Sequence, residues 1–355
     1  MTSRKSVLGA CAWHGAEMAN SRRWIRTLEA ADIAEIDAAL RSAQAQGVPW
    51  QETTAENFPL DRLRARLDEI ADELEEGCGM VKLRGLPVER YEPLALRQIW
   101  FGLGSHVGRP VYQNFRGELM RDIKDEGADV GERYGQLKRD QESGGVFLSS
   151  YARTLSNGPL RFHTDRCDVV GLLCVRQADT GGRSLLCSSV AVHNEMLRRR
   201  PDLVDALFEN VYRSRLGEEK GGEEKPYPLP IFGVREGKFT SHYSLTYIEA
   251  AQLRPEVPRL TAAQSEALAL LTELAKELSF EMTLEPGDMQ FLNNHVIYHA
   301  RTPFTDDAAA GRNRLLYRIW LTMPNSRALP AGHEVLWRNI EAGVPRGGIA
   351  QADAD

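Results

Sequence analysis

The sequence lacks the features that mark membrane, secreted and nucleic-acid-binding proteins. Its 355 residues contain no stretch of uncharged apolar residues of about the 18 that cross a bilayer as a helix. The opening segment MTSRKSVLGACAWHG has no apolar run of signal-peptide length. Positive charge is also not in excess, because 44 Lys and Arg against 50 Asp and Glu give a net charge of -6. The net charge of the protein therefore does not attract the phosphate backbone of nucleic acids. We expect a soluble, cytoplasmic protein that binds neither membranes nor nucleic acid.

Cysteine is sparse and irregularly placed. The 5 cysteines form no C-x-x-C pair and no zinc-finger spacing, and a chain of this length does not need disulfides for stability. Internal repeats and the H-E-x-x-H motif of zinc peptidases are absent as well. We therefore expect reduced, mostly buried thiols. What the chain does contain is an apolar fraction of 42%, enough for one large core.

The amino-terminal part of the chain is predicted to be helical. Residues 21–45 and 60–76 carry apolar side chains at helical spacing, and Asp61 is a candidate N-cap of the second helix. At GCGMVKLRGL the pattern changes, because Gly77 ends the helix and residues 80–86 alternate as in a half-buried strand.

Short strands dominate the rest of the chain. Segments such as FEMTLEPGDMQFLNN and RLLYRIWLTM are separated by turn residues and do not alternate regularly with helices. This order disfavours a doubly wound parallel sheet and favours a sandwich or jelly roll. Two helices are predicted to interrupt the strands, one at roughly residues 193–211 and one that begins with a capping box at Thr261 and runs to about Leu278.

Two polar segments that contain glycine, residues 127–145 and 217–230, are predicted to be loops. Long loops inside a compact domain are often lids over a site. Ordinary surface loops have the same composition, so both interpretations stay open.

The stretch Arg161-Phe162-His163-Thr164-Asp165 contains a candidate metal-binding pair. In a strand, residues i and i+2 face the same side, so His163 and Asp165 can present an imidazole nitrogen and a carboxylate oxygen to one ion. Cys167 continues this face, either as a pocket residue or as a packed structural thiol. A lone H-x-D is more often a surface pair, and the hypothesis needs a second element.

That second element is the distant segment NNHVIYHAR, residues 293–301, which follows an E-P-G-D turn and an apolar strand. His299 supplies a second imidazole. Two imidazoles and one carboxylate on one face of an octahedron suit non-haem Fe(II) oxygen chemistry, whereas a closed zinc site has four ligands. His295 would share a face with His299 in a strand and is a rival ligand, with burial or hydrogen bonding as the alternative.

A third element is the strand-like segment RNRLLYRIWL, residues 312–321. Period two places Arg314, Arg318 and Trp320 on one face. Trp320 on that face indicates a semi-buried cavity in which guanidinium groups need anionic partners. The alternative is a solvated face with two arginines.

Together the three elements resemble the taurine dioxygenase (TauD/TfdA) family, which includes clavaminate synthase-like enzymes. The resemblance covers roughly residues 80–324, with the motifs H-T-D, G-G-x-S-L, P-G-D, N-x-x-x-x-H-x-R and R-x-x-x-R in the family's order. It implies a mainly β fold with flanking helices, whose core is a double-stranded β-helix, a cupin-like jelly roll. We accordingly expect a helical extension over residues 1–78, a catalytic domain over 79–325 and a carboxy-terminal tail over 326–355.

The resemblance also implies roles for single residues. His163, Asp165 and His299 fall on the family's iron ligands. Arg314 falls on the arginine that clamps the distal carboxylate of 2-oxoglutarate, and Ser184 stands where the family commonly has an assisting threonine; a serine hydroxyl donates the same hydrogen bond. Arg318 and three further residues are the candidates for substrate contacts: Tyr112, Asn114 and His242.

The expected activity is that of an Fe(II)- and 2-oxoglutarate-dependent dioxygenase. Such an enzyme uses O2 to hydroxylate, desaturate or cyclise a small anionic substrate, here an amino acid or organic acid in catabolism or secondary metabolism, and releases succinate and CO2. Two alternatives are a cupin-type isomerase or lyase, against which Arg314 and Ser184 argue, and a non-catalytic jelly roll that binds a small anion. The sequence leaves assembly into a homo-oligomer open.

Overall fold

The computed structural model describes residues 5–127, 129–133, 137–139, 146–215, 226–349 and 351. Within these ranges the α-helices are α1 Gly15–Asn20, α2 Ala30–Ala45, α3 Arg62–Glu75, α4 Pro93–Val107, α5 Val130–Arg133, α6 Ser150–Thr154, α7 Ser189–Arg199, α8 Pro201–Val204, α9 Leu245–Gln252, α10 Ala262–Glu277 and α11 Glu334–Trp337. Short 3-10 turns lie at Trp50–Glu52, Val88–Arg90 and Asp205–Leu207.

The β-strands in the same ranges are β1 Ile25–Thr27, β2 Met80–Arg84, β3 Arg109–Pro110, β4 Met120–Ile123, β5 Leu137–Arg139, β6 Val146–Leu148, β7 Leu160–His163, β8 Val169–Arg176, β9 Thr180–Gly181, β10 Ser184–Ser188, β11 Val211–Arg213, β12 Tyr227–Leu229, β13 Phe232–Arg235, β14 Lys238–Ser241, β15 Phe280–Met282, β16 Met289–Asn293, β17 Ile297–Arg301, β18 Phe304–Thr305 and β19 Leu315–Thr322.

Two sheets form the core. The larger has the strand order β1-β2-β16-β8-β19-β3, with β4 also paired to β19, and the smaller has the order β15-β10-β17-β7. Apart from the parallel pair of β1 and β2, the strand pairs within both sheets are antiparallel. This arrangement is the jelly-roll core with flanking helices that the sequence predicted.

The two faces of the larger sheet pack against different partners. Tyr317, Ile319 and Leu321 of β19 belong to an apolar cluster with residues of α2, α3 and α4, whereas Leu316 and Trp320 belong to a second cluster shared with the smaller sheet and with α7 and α10. The alternation predicted for β19 is therefore confirmed. Arg314 and Arg318 lie on the face towards the smaller sheet because side chains two residues apart share a side of a strand.

The predicted helices are found with two corrections. The helix predicted for residues 21–45 is present only from Ala30 onwards, because Ile25–Thr27 form β1 and extend the larger sheet by pairing with β2. Such long-range pairing leaves no trace in the local spacing of apolar residues. The described parts of the two predicted loops also contain elements, namely α5 and β5 in the first and β12 in the second; residues 128, 134–136, 140–145 and 216–225 lie outside the described ranges.

The second correction concerns the helix predicted for residues 193–211. It begins at Ser189, where the Ser188 hydroxyl accepts from the amide of Ala191, and it ends at Arg199. Pro201 explains the end, because the residue before a proline is forced out of the helical region and Arg200 has φ -143 and ψ 69. At Thr261 the predicted capping box is confirmed, with reciprocal bonds of 3.1 Å to Gln264.

Segments before and after the strands of the core are packed into the fold. Helices α2 and α3 cover the outer face of the larger sheet, and Leu336, Trp337 and Ile349 in the carboxy-terminal segment are buried. The division of the chain at residues 78 and 325 stays a prediction. In the ranges that the structure describes, no helix is both long enough and apolar enough to cross a membrane.

The amino-terminal end of α3 is capped from a neighbouring helix. Asp61 is the N-cap residue, as predicted, but its side chain makes no capping hydrogen bond. The Glu35 carboxylate of α2 instead accepts from the amides of Asp61, Arg62 and Leu63, the last two at 2.9 and 3.0 Å. A carboxylate at this position satisfies amides that have no partner inside the helix.

We expect Glu35→Ala to lower the free energy of unfolding by about 1 to 2 kcal/mol, the usual cost of losing an N-terminal cap. Asp61→Ala is the matched control and should change it by less than about 0.5 kcal/mol. Urea unfolding followed by circular dichroism measures both. Equal losses for the two variants would contradict the assignment of the capping hydrogen bonds to Glu35.

Candidate metal centre and its two cavities

The register of the smaller sheet brings two imidazoles together. His163 at the end of β7 lies directly opposite His299 of β17, and their ring centroids are 4.3 Å apart. Residues directly opposite each other on antiparallel strands point to the same face. His163 Nδ1 lies 2.8 Å from the Arg161 carbonyl oxygen and so donates to it, which leaves the Nε2 lone pair free.

Asp165 lies beside both rings. Its Oδ1 is 3.8 Å from His163 Nε2, and its Oδ2 is 3.8 Å from His299 Nε2. The Asp165 amide donates to Asn294 Oδ1 at 2.9 Å, so the turn before β17 fixes the loop after β7. One donor atom from each of the three side chains lies within 4.8 Å of the others, and this group could hold one metal ion.

The protonation states of this group suit a metal. Burial, and to a smaller extent the neighbouring His163, lowers the pKa of His299 to about 3. Burial alone would raise the pKa of Asp165, but Arg318 and the two imidazoles outweigh it and hold that pKa below its ordinary value. At neutral pH His299 is therefore neutral and Asp165 ionised, which are the forms that bind metals.

His295, the rival ligand, is engaged elsewhere. Its Nε2 lies 2.8 Å from Asp168 Oδ1 and its Nδ1 lies 2.8 Å from Thr240 Oγ1, so neither ring nitrogen is left for an ion. Asp168 also accepts from Arg346 Nε at 2.8 Å and from Thr322 Oγ1 at 3.1 Å. This buried network ties the carboxy-terminal segment to the loop that carries Asp165.

A cavity of about 510 Å³, counted with the open space at its mouth, is bordered by the three side chains and is also lined by Arg314, Ser184, Arg301 and Gln290. Arg314 is buried and packs over the Phe304 ring at 5.2 Å, and its Nη1 has no hydrogen-bond partner among the described residues. Burial lowers the pKa of Arg314 to about 10, so the group remains cationic at neutral pH. A buried guanidinium with an unpaired Nη1 at the wall of a cavity suits a carboxylate ligand.

The Gly181-Gly182 turn shapes this cavity. Gly182 has φ +68, and a Cβ there would lie 3.1 Å from Arg314 Nε and 3.2 Å from its Cδ. Glycine is therefore required both by the backbone and by the close approach of Arg314. The G-G-x-S motif thus places Ser184 in the cavity and leaves space for the guanidinium.

Arg301 is a site residue to which the sequence analysis gave no role. It lines the same cavity, and its Nη2 donates to the carbonyl groups of Ser156 and Gly158. These bonds fasten β17 to the segment that leads into β7. The signal in the sequence that could have identified Arg301 is its position two residues after His299.

A second cavity, of about 640 Å³ counted with the open space at its mouth, adjoins the first and shares Thr154, His163, Asp165 and Arg318 with it. Arg318 Nε donates to Gln113 Oε1 at 2.8 Å, and its Nη1 is 3.6 Å from Asp165 Oδ2. Gln113 therefore holds Nε of the Arg318 guanidinium, while Nη1 lies near the candidate ligand Asp165 and the side chain lines the cavity.

Of the predicted substrate contacts, His242 lines this cavity and Tyr112 and Asn114 do not. Tyr112 is 39% exposed, and the Asn114 amide group is used by Glu118. Gln113 between them points into the cavity instead, because neighbours in an extended segment face opposite ways. The His242 imidazole lies 3.0 Å from Thr164 Oγ1, and burial holds its pKa well below the ordinary value.

Two walls of this cavity come from the segment that was predicted to be a tail, through Leu336 and Ile349. No local pattern marks these residues as part of a site. Cys167 is a packed thiol that accepts from Asn294 Nδ2 at 3.2 Å and is outside the described cavity linings.

The chain matches the profile of the family described as taurine catabolism dioxygenase TauD, TfdA family over residues 44–320. It is 29% identical to the FR-33289 synthase of Streptomyces rubellomurinus (strain ATCC 31215) over 337 residues, which cover 92% of this chain and 93% of the relative. It is 33% identical to the taurine hydroxylase-like protein SAT17 of Stachybotrys chartarum (strain CBS 109288 / IBT 7711) over 302 residues, which cover 82% and 74%. The solved structure of asparagine oxygenase in complex with Fe(II), 2S,3S-3-hydroxyasparagine and succinate superposes with a TM-score of 0.62 at 18% identity, over 84% of this chain and 94% of that one.

This chain therefore belongs to the TauD, TfdA family of Fe(II)- and 2-oxoglutarate-dependent dioxygenases. It is a non-haem iron oxidoreductase with Fe(II) and 2-oxoglutarate as its cofactors, as the sequence predicted. The residues present fit Fe(II) and 2-oxoglutarate. Two imidazoles and a carboxylate suit Fe(II), and the unpaired Arg314 Nη1 suits a carboxylate of 2-oxoglutarate. The isomerase and non-catalytic alternatives are set aside.

Proposed function

We propose that His163, Asp165 and His299 hold the Fe(II), and that Arg314 and Ser184 bind 2-oxoglutarate in the cavity of about 510 Å³. The prime substrate would occupy the cavity of about 640 Å³. The observation that carries this proposal is that His163 and Asp165 line both cavities, while His299 lines the first, so the candidate ligands border the space of each reactant.

The iron supplies the redox chemistry, in which 2-oxoglutarate and O2 become succinate and CO2 while a substrate C–H bond is oxidised. The protein places the reactants and excludes water. Arg314 would bind the distal carboxylate of 2-oxoglutarate, with the Ser184 hydroxyl donating a further hydrogen bond. Because Asp165 fills the position that a halide would need, we infer hydroxylation, desaturation or cyclisation rather than halogenation.

We infer that the substrate is a small molecule with an anionic group, such as an amino acid or an organic acid. Arg318 lines the substrate cavity, and Asp165 is the only carboxylate among its described lining residues. With Asp165 bound to iron, the charge left on these walls is positive and favours an anion. The asparagine oxygenase that shares this fold supports an amino acid by its name.

The ligand assignment predicts that His163→Ala, Asp165→Ala and His299→Ala each lose Fe(II) binding. Each change removes one of only three protein ligands. Anaerobic titration with Fe(II) and 2-oxoglutarate, followed through the weak visible charge-transfer band, measures this loss. His14→Ala, at an exposed position, is the control and should keep the band; a His163→Ala protein that kept it would overturn the assignment.

The role of Arg314 predicts that Gly182→Ala weakens 2-oxoglutarate binding, because the added methyl group displaces the Arg314 guanidinium. The expected loss of affinity is about tenfold, the size of one hydrogen bond to a charged group. Fe(II) affinity should stay the same. Gly237→Ala is a matched control, since Gly237 has φ +77 and nothing within 4 Å of its Cβ position. Anaerobic calorimetry with 2-oxoglutarate compares the two, and equal affinities would contradict the role of Arg314.

The substrate class is tested by screening amino acids and organic acids for succinate release by the wild-type enzyme. For the best acid and its neutral amide, kcat/KM is then compared in wild-type and Arg318→Met protein. We expect the variant to lose about 10- to 100-fold more with the acid than with the amide, the size of a charge-assisted hydrogen bond. Equal losses would mean that Arg318 serves Asp165 and not the substrate.

A further inference from the structure

Trp320 touches both the candidate metal centre and the substrate cavity. Its side chain projects from the inner face of β19, is buried, and lines the cavity of about 640 Å³. The indole Nε1 donates to Asp165 Oδ2 at 3.0 Å, and the Arg318 guanidinium lies 4.9 Å from the ring centroid. The sequence placed Trp320 on this face without giving it a role.

The two oxygens of Asp165 are therefore not equivalent. Oδ2 accepts the indole N–H and lies 3.6 Å from Arg318 Nη1. Oδ1 accepts no hydrogen bond from the described residues, although each oxygen lies 3.8 Å from one imidazole Nε2, Oδ1 from that of His163 and Oδ2 from that of His299. An oxygen that already accepts a hydrogen bond has less lone-pair density to offer an ion, so Oδ1 is the oxygen available for binding.

Among the described residues, the indole makes the hydrogen bond that orients this carboxylate from the side of β19. Arg318 is too far from Oδ2 for a hydrogen bond at 3.6 Å and uses its Nε on Gln113, so it contributes charge rather than direction. The Asp165 amide is held separately by Asn294, which fixes the backbone and leaves the rotation of the carboxylate to Trp320.

We propose that Trp320 is a positioning residue for the metal centre. Its indole N–H holds Asp165 Oδ2 and so presents Oδ1 to Fe(II), and this proposal rests on the proposed ligand set. Partners of metal-binding carboxylates orient them and tune affinity in this way. A carboxylate that binds through one oxygen leaves more of the ion's coordination sphere for 2-oxoglutarate.

The experiment measures the affinity of the full-length protein for Fe(II) alone, by anaerobic calorimetry. Trp320→Phe keeps an aromatic ring and removes the donor, and we expect about 10-fold weaker binding or more. Trp320→His keeps a ring N–H, since its Nε2 occupies the place of indole Nε1, and should bind more tightly than the Phe variant. Trp100→Phe is the matched control with wild-type affinity, because Trp100 is buried and its Nε1 has no partner among the described residues.

Thermal unfolding of the metal-free proteins separates this role from a packing role. A folded Trp320→Phe protein with wild-type affinity for Fe(II) would overturn the proposal. So would equally weak binding by the Phe and His variants, because the ring volume and not the N–H would then matter. If the wild-type protein itself bound no Fe(II), the ligand assignment would fail as well, whereas failure of the Trp320 proposal alone leaves wild-type binding intact.

Discussion

The site depends on the antiparallel pairing of β7 with β17, which places His163 opposite His299. A slip of one residue would turn one imidazole to the other face of the sheet and separate the pair. Because β7 is the edge strand, its position needs support from outside the sheet. Bonds from the Thr164 amide to the Tyr243 carbonyl oxygen at 2.8 Å, and from Arg301 to the carbonyl groups before β7, give that support.

Positive side chains outnumber negative ones in the cavity assigned to 2-oxoglutarate, and this excess suits an anionic ligand. Three arginines and one carboxylate line the cavity assigned to 2-oxoglutarate. Burial lowers the pKa of Arg314 to about 10 and that of Arg301 to about 9, because each cation has lost much of its water. A dianionic co-substrate would offset this cost, so binding of 2-oxoglutarate should stabilise the folded protein as well as orient the reactant.

Much of this arrangement could be predicted from the chain because it depends on local spacing. Period two put Arg314, Arg318 and Trp320 on one side of a strand, and the capping box at Thr261 is a contact three residues long. The same rule placed Asp165 beside His163, although β7 ends at His163 and Asp165 lies in the loop that follows. What could not be predicted depends on distant packing. The pairing of β1, the cap that Glu35 gives to α3, and the cavity walls Leu336 and Ile349 each join segments with no shared pattern. In the segment of residues 112–114 the cavity is lined by Gln113 rather than by Tyr112 or Asn114, because the phase of the alternation was not visible in the sequence.

The most direct test of the central claim is a crystal structure of the protein loaded anaerobically with Fe(II) and 2-oxoglutarate. The account predicts one ion bound by the imidazoles of residues 163 and 299 and the carboxylate of residue 165, with the distal carboxylate of 2-oxoglutarate on Arg314. An ion bound at His295, or imidazoles at 163 and 299 turned away from each other, would contradict it.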